Sequence, residues 1–230
     1  HPDEGYRGTV TTEWLKNLPS ENLTTLLLSK DQQLWIGTWG SGIEQIDLAT
    51  KTSKNHILSP APGAANNIFS FYNDASGHLW AGTAGQGLFV LKANQSRFQR
   101  ANEAFPDLKV PEDAYVTFLH EEPDKETLWI GTLYGLFKIQ RQNGNVLQKD
   151  VYYKGLDSKG LESNSFQCMH QDKAGRIWLG SFDRGLILYH PETDRFEHLH
   201  EEQGLAGNLV QGIASDALGR LWISTNKGLS

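Results

Sequence analysis

A single cysteine, Cys168, stands in the 230 residues of this chain, so no disulfide can form within it. Its position in an alternating strand pattern marks it as a packed thiol rather than a reactive one. No apolar run approaches the ~18–20 residues that a membrane-spanning helix requires. The net charge is −6 and no Lys/Arg cluster offsets it, which argues against a nucleic-acid surface. Neither a phosphate-cradling glycine loop ahead of a helix nor a phosphoacceptor-helix pattern is present, so these residues are not expected to transfer phosphoryl groups. No signal peptide is read in the chain, which starts at His1 without a methionine, and removal of a leader by processing or by trimming of the ends is the accompanying expectation.

What the chain does have is a recurring phrase. Leu34-Trp35-Ile36-Gly37-Thr38 returns as Leu79-Trp80-Ala81-Gly82-Thr83, Leu128-Trp129-Ile130-Gly131-Thr132, Ile177-Trp178-Leu179-Gly180-Ser181 and Leu221-Trp222-Ile223-Ser224-Thr225. A period of about 40–50 residues with one tryptophan-bearing strand per unit predicts a β-propeller. The second unit reads in full: an apolar strand Asn66–Tyr72, a turn Asp74–Gly77, a strand Leu79–Thr83, a turn Gly85–Gly87, a strand Leu88–Lys92 and a weaker strand Arg97–Arg100. The expected fold is therefore all-β, with four-stranded antiparallel blades and about five repeats over 22–58, 66–100, 113–153, 164–200 and 208–230. The five tryptophans hold the same place in every unit, which suits filling between sheets better than an aromatic ligand array. Asp74, Asp172 and Asp216 likewise share one turn position and are read as turn formers.

Residues 9–14 read as an outer strand that could pair with the last blade and close a small ring, hiding its edges. The pattern at Gly228-Leu229-Ser230 stops where a third strand begins, which favours an arc of a larger ring. Such an arc exposes sheet faces and is expected to self-associate or pack on an adjacent domain.

The pattern Asp-x-x-Gly-x-Leu/Ile-Trp-x-Gly-Thr-x-x-x-Gly-Leu at Asp74–Leu88 and Asp172–Leu186 resembles the two-component regulator propeller repeat. Asp216–Leu229 follows it with Ser224 in place of the glycine. Leu18–Asn22 and Gly204–Asn208 are similar to the inter-blade segment of that family. Two copies depart from it: the first turn reads as shortened, Asp31-Gln32-Gln33, and the third as lengthened, Glu121–Glu126. The resemblance implies the periplasmic sensor part of a bacterial membrane receptor, with a histidine kinase or diguanylate cyclase output outside these residues. It also implies a small-molecule or oligosaccharide ligand, no cofactor, and contact with a membrane only through other segments.

If the innermost strand enters from one face, the second-to-third-strand turns and the inter-blade loops both lie on that face. Those loops vary between repeats, as function grafted on a scaffold does. The turns supply Trp39, Gln86, Tyr134, Phe182, Asp183, Arg184, Asn226 and Lys227 as candidate ligand-binding residues. The loops supply Asn22, Asn66, Asn164 and Asn208, together with segments 60–65 and 105–113. Aromatic faces beside amides and charges suit a sugar, although the asparagines read more simply as strand-start caps, and Trp39, Tyr134 and Phe182 also suit a subunit contact. No catalytic residue is assigned. Asp183 and Glu162 would be the carboxyl pair of a glycosidase reading; a propeller lyase is the other enzyme reading, with no recurring His/Glu pair to carry it, and a protein-docking ring is the remaining alternative. His198 and His200 alternate onto one edge with no third ligand in evidence, so no metal is expected.

Overall fold

The computed structural model describes residues 20–59, 66–124, 126–142, 145–155 and 159–230. The closing strand expected at 9–14, Leu18 and Pro19 of the first inter-blade segment, and loop 60–65 lie outside the described residues. Blade one consists of β1 (Leu23–Leu28), β2 (Gln33–Thr38), β3 (Ile43–Asp47) and β4 (Thr52–His56). Blade two has β5 (Ile68–Asn73), β6 (Leu79–Thr83), β7 (Leu88–Leu91) and a two-residue β8 (Gln99–Arg100). A four-residue helical turn, Ala101–Ala104, follows it, ahead of the loop 105–113. Blade three is β9 (Val116–Glu121), β10 (Thr127–Thr132), β11 (Gly135–Gln142) and β12 (Asn145–Tyr152). Blade four is β13 (Phe166–Gln171), β14 (Ile177–Ser181), β15 (Leu186–His190) and β16 (Arg195–Leu199), and blade five has β17 (Val210–Ser215), β18 (Leu221–Thr225) and β19 (Gly228–Leu229). In each blade the strands lie in chain order, and every pairing is antiparallel.

The repeated tryptophan fills the seam with the next blade. Trp35 packs with Ile68, Leu79 and Phe89 of blade two, and Trp80 with Val116, Leu128 and Phe137 of blade three. Trp129 joins Phe166, Ile177 and Tyr189, while Trp178 joins Val210 and Ile223. These four indoles are between 0% and 8% exposed. Trp222 has no following blade among the described residues and is 43% exposed. At the other end, Leu23, Leu26 and Leu28 of β1 are exposed as well. No sheet joins blade one to blade five among the described residues.

The turn aspartate does more than form a turn. Asp74 Oδ1 accepts the backbone N–H groups of Ser76 and His78, and its Oδ2 accepts the Trp80 indole N–H at 2.8 Å. Asp172 repeats this with Ala174, Arg176 and Trp178, as does Asp216 with Leu218, Arg220 and Trp222. These bonds hold the Asp172 carboxyl down at about 2, with Trp178 and Arg176 outweighing the burial that would raise it. In blade three the longer turn replaces the aspartate by Glu122, whose Oε1 takes the Trp129 indole at 2.8 Å.

Blade one corrects the reading of a shortened turn. Ser29 stands at the aspartate position, six residues before Trp35, and its N–H bonds the Gln33 carbonyl as that of Asp74 bonds His78. Gln32, at φ 62°, occupies the left-handed place that Gly77 fills in blade two. The turn has full length and lacks only the carboxylate, and Trp35 packs instead against His56 and Phe98.

Candidate functional site

Each tryptophan strand ends in a threonine or serine whose hydroxyl folds the turn beyond it. Thr38 donates to the Gly42 carbonyl at 2.8 Å, Thr83 to Gly87 at 2.7 Å, Thr132 to Gly135 at 2.8 Å, Ser181 to Gly185 at 3.0 Å and Thr225 to Gly228 at 3.0 Å. The same oxygens accept N–H groups from Ser41, Gln86, Tyr134, Arg184 and Lys227. The turn backbone is thus held from within each blade.

The residue after each threonine or serine ties the turn to the start of its own inner strand. Trp39 N–H bonds Asn22 O at 2.9 Å, Ala84 bonds Asn67 at 2.9 Å, Leu133 bonds Tyr115 at 3.2 Å, Phe182 bonds Ser165 at 3.1 Å and Asn226 bonds Leu209 at 3.1 Å. A third set links neighbouring blades: Gly42 N–H to Asn66 O, Gly87 to Ala114 and Gly185 to Asn208. The second-to-third-strand turns and the inter-blade loops therefore share one rim. A β-bulge in every inner strand near this rim, as between Ile68 and Ser70 or Phe166 and Cys168, tightens the strand there.

On this rim Trp39 and Tyr134 are 48% and 56% exposed, and Asp183, Arg184, Asn226 and Lys227 are exposed too. Gln86 and Phe182 are partly covered, and the Gln86 carbonyl receives Arg100. Two groups of these residues form contacts. Asp183 accepts the buried Ser163 hydroxyl at 2.6 Å and lies 3.7 Å from Arg184. Lys227 reaches Glu201 at 2.7 Å, and Glu201 in turn accepts the Asn208 N–H.

Three of the four asparagines are taken up by the scaffold, while Asn22 is exposed and bonds through its backbone. Asn66, buried, accepts N–H groups from Leu58 and Ser59; Asn164 accepts that of Lys154 at 2.5 Å, and Asn208 that of Glu201 at 3.0 Å. Each clips the end of one blade to the start of the next. The leucines of the same segments, Leu161 and Leu205, are buried beneath them. Burial beside Gly180 pushes the Cys168 thiol up to about 12, in keeping with a packed, unreactive sulfur.

Sequence reasoning found no third donor for His198 and His200; the structure supplies Glu162, from the segment that precedes blade four. The inter-blade pattern puts Gly160-Leu161-Glu162-Ser163-Asn164 on the rim, but nothing in it tells which of these residues faces β16. Two further cavities lie away from these residues. One, of about 740 Å³, opens at the opposite end of blades one and two, between the turns at Ser29–Asp31 and Asn73–Ala75. The other, of about 540 Å³, lies on the outer edge of blade two around Phe98 and Arg100.

The description "Two component regulator propeller" matches residues 62–85, 160–183 and 204–227. A histidine kinase, P4 of Formosa agariphila, is 28% identical over 229 residues, spanning 96% of this chain and 16% of the kinase. Among solved structures, the extracellular domain described as a hybrid two component system of B. thetaiotaomicron superposes with a TM-score of 0.70 at 23% identity, over 91% of this chain and 26% of that one. A gluconolactonase of Xanthomonas campestris gives 0.58 at 15% identity, over 90% of this chain and 70% of its own. This chain spans about a sixth of the kinase it matches.

Proposed function

Starting from a chain that carries the two-component regulator propeller repeat, we propose that it is the ligand-sensing part of a bacterial transmembrane receptor, placed outside the cytoplasm. The observation that carries this reading is a division of labour at the rim. The same threonine or serine bond holds every second-to-third-strand turn, while the side chains presented there differ from blade to blade: Trp39, Gln86, Tyr134, Phe182-Asp183-Arg184 and Asn226-Lys227. A constant frame with a varied edge is what selective recognition needs, and exposed aromatics beside amides and charges suit an oligosaccharide or sugar acid. Binding would act by favouring one packing of the ring against its neighbours, with the signal passed to an output domain elsewhere in the protein.

The glycosidase alternative rests on Asp183 and Glu162, and Asp183 is engaged by the buried Ser163 hydroxyl at 2.6 Å. A thermal-shift screen against oligosaccharides, sugar acids and amino acids, with chromatography of the mixtures, tests the proposal. A ligand at 100 times its dissociation constant adds about 2.7 kcal/mol. A stabilising ligand that returns unchanged, and whose effect is lost in Trp39→Ala or Asp183→Asn, supports the sensor reading. Turnover of the ligand sinks it.

A further inference from the structure

Glu162, His198 and His200 each bring one donor atom to within 4.8 Å of the others on the blade-four rim. The two imidazoles come from β16, where residues two apart share a side, and their rings lie 5.7 Å apart at 15°. Glu162 Oε2 stands 3.6 Å from His200 Nε2. That separation is close to the roughly 3.4 Å edge of a tetrahedron built on metal–ligand bonds of about 2.0–2.1 Å.

His198 is oriented from behind. The Glu162 backbone N–H points to its Nε2 at 3.1 Å, so this nitrogen carries the lone pair. Nδ1 is then the protonated nitrogen and donates to the Arg184 carbonyl at 3.3 Å. A ring N–H held by a backbone carbonyl is the outer contact that fixes tautomer and orientation in metal-binding histidines.

We propose that Glu162, His198 and His200 form a binding site for a first-row divalent cation of the zinc class. Two imidazoles and one carboxylate match the preference of zinc, and do not match calcium or magnesium, which take oxygen donors. On binding, the cation takes the His198 Nε2 lone pair and the Glu162 N–H gives it up. Glu162 is half exposed, so the remaining coordination position faces water or an oxygen-bearing ligand at the rim shared with Asp183 and Arg184.

Isothermal titration of zinc chloride into the chain at neutral pH tests this, with calcium chloride as the comparison. One zinc per chain and no calcium binding are expected. His200→Ala and Glu162→Gln should each weaken zinc binding about tenfold or more. His190→Ala removes a histidine that also lies beside two carboxylates, Glu192 and Glu197, at the other end of the blade, and should leave binding unchanged. Affinity should fall as pH is lowered, because the ligands must be deprotonated. Circular dichroism identifies any variant that does not fold, in which case His200→Gln takes its place. A chain that binds no zinc overturns the proposal, as does zinc affinity that survives in both site variants or is lost with His190→Ala.

Discussion

Blades three and five carry the same phrase and the same indole–carboxylate bond, yet Trp129 is fully buried and Trp222 is 43% exposed. The bond belongs to the repeat; the burial belongs to the neighbour. Five copies of one local instruction therefore yield unequal energies, according to whether another blade covers them. The glycine after the tryptophan points to the same conclusion. A Cβ on Gly82 would meet the Val116 carbonyl of blade three at 2.8 Å, and one on Gly180 would meet Val210 of blade five at 2.7 Å. In blade five that place is Ser224, and the glycine has moved across the ladder to its partner, Gly212. The pairs Thr25–Gly37, Ser70–Gly82, Cys168–Gly180 and Gly212–Ser224 each keep one small member, but only the last reverses which strand holds it.

The sharpest test of this contrast is Trp129→Ala against Trp222→Ala. Truncating the buried ring should cost about 3–5 kcal/mol in urea unfolding, and truncating the exposed one far less. Equal losses would mean that Trp222 is covered in solution. Gly82→Ala should cost about 1–3 kcal/mol through overpacking, whereas Ser224→Ala should stay within about 0.5 kcal/mol; both are read from the same unfolding curves.

The pH dependence turns most on blade one, although burial also lowers His120 in blade three and His198 in blade four. His56 sits against Trp35 and Phe98, and burial, helped by Lys54, lowers it from 6.5 to about 4. The unfolded chain binds this proton more readily, so stability is full above pH 6.5 and falls as pH drops toward 4. His56→Gln should make that decline shallower, since burial lowers His120 and His198 too. It should leave a further decline below about pH 4 to which Asp172 and the other depressed carboxyls, Asp74, Asp194 and Asp216, contribute. Thermal melts across this range check both. The smallest effect is expected from Leu26→Ser with Leu28→Ser, which should change stability by no more than about 0.5 kcal/mol yet reduce self-association in sedimentation.

Much of this architecture was legible in the sequence because it is written five times. The strands Leu79–Thr83, Ile177–Ser181 and Leu221–Thr225 fall where the phrase places them. The outer strands were less legible: Arg97–Arg100 shrinks to Gln99–Arg100, since a strand with one neighbour is set by what lies outside it. Ser29 escaped notice because a hydroxyl can hold the turn without reaching the indole, so the motif fails while the backbone persists. The rim was read correctly as one face, since topology alone dictates it. Glu162 and His198 meet only through the folding of a loop onto β16, and no spacing along the chain encodes that encounter.

Among the described residues the apolar interior is divided into four separate clusters, one for each pair of blades adjoining in chain order. A stack of this kind behaves as a one-dimensional array, in which each unit is stabilised by itself and by its immediate neighbours. Blades one and five, each covered on one side among the described residues, then open at lower free energy than the blades between them, so amide protection should climb from Leu26 toward Ile130 and decline again toward Ile223. Any molecule that bridged two adjacent units on the rim would stiffen a single link of the array, and that change would be felt first at its loosest ends.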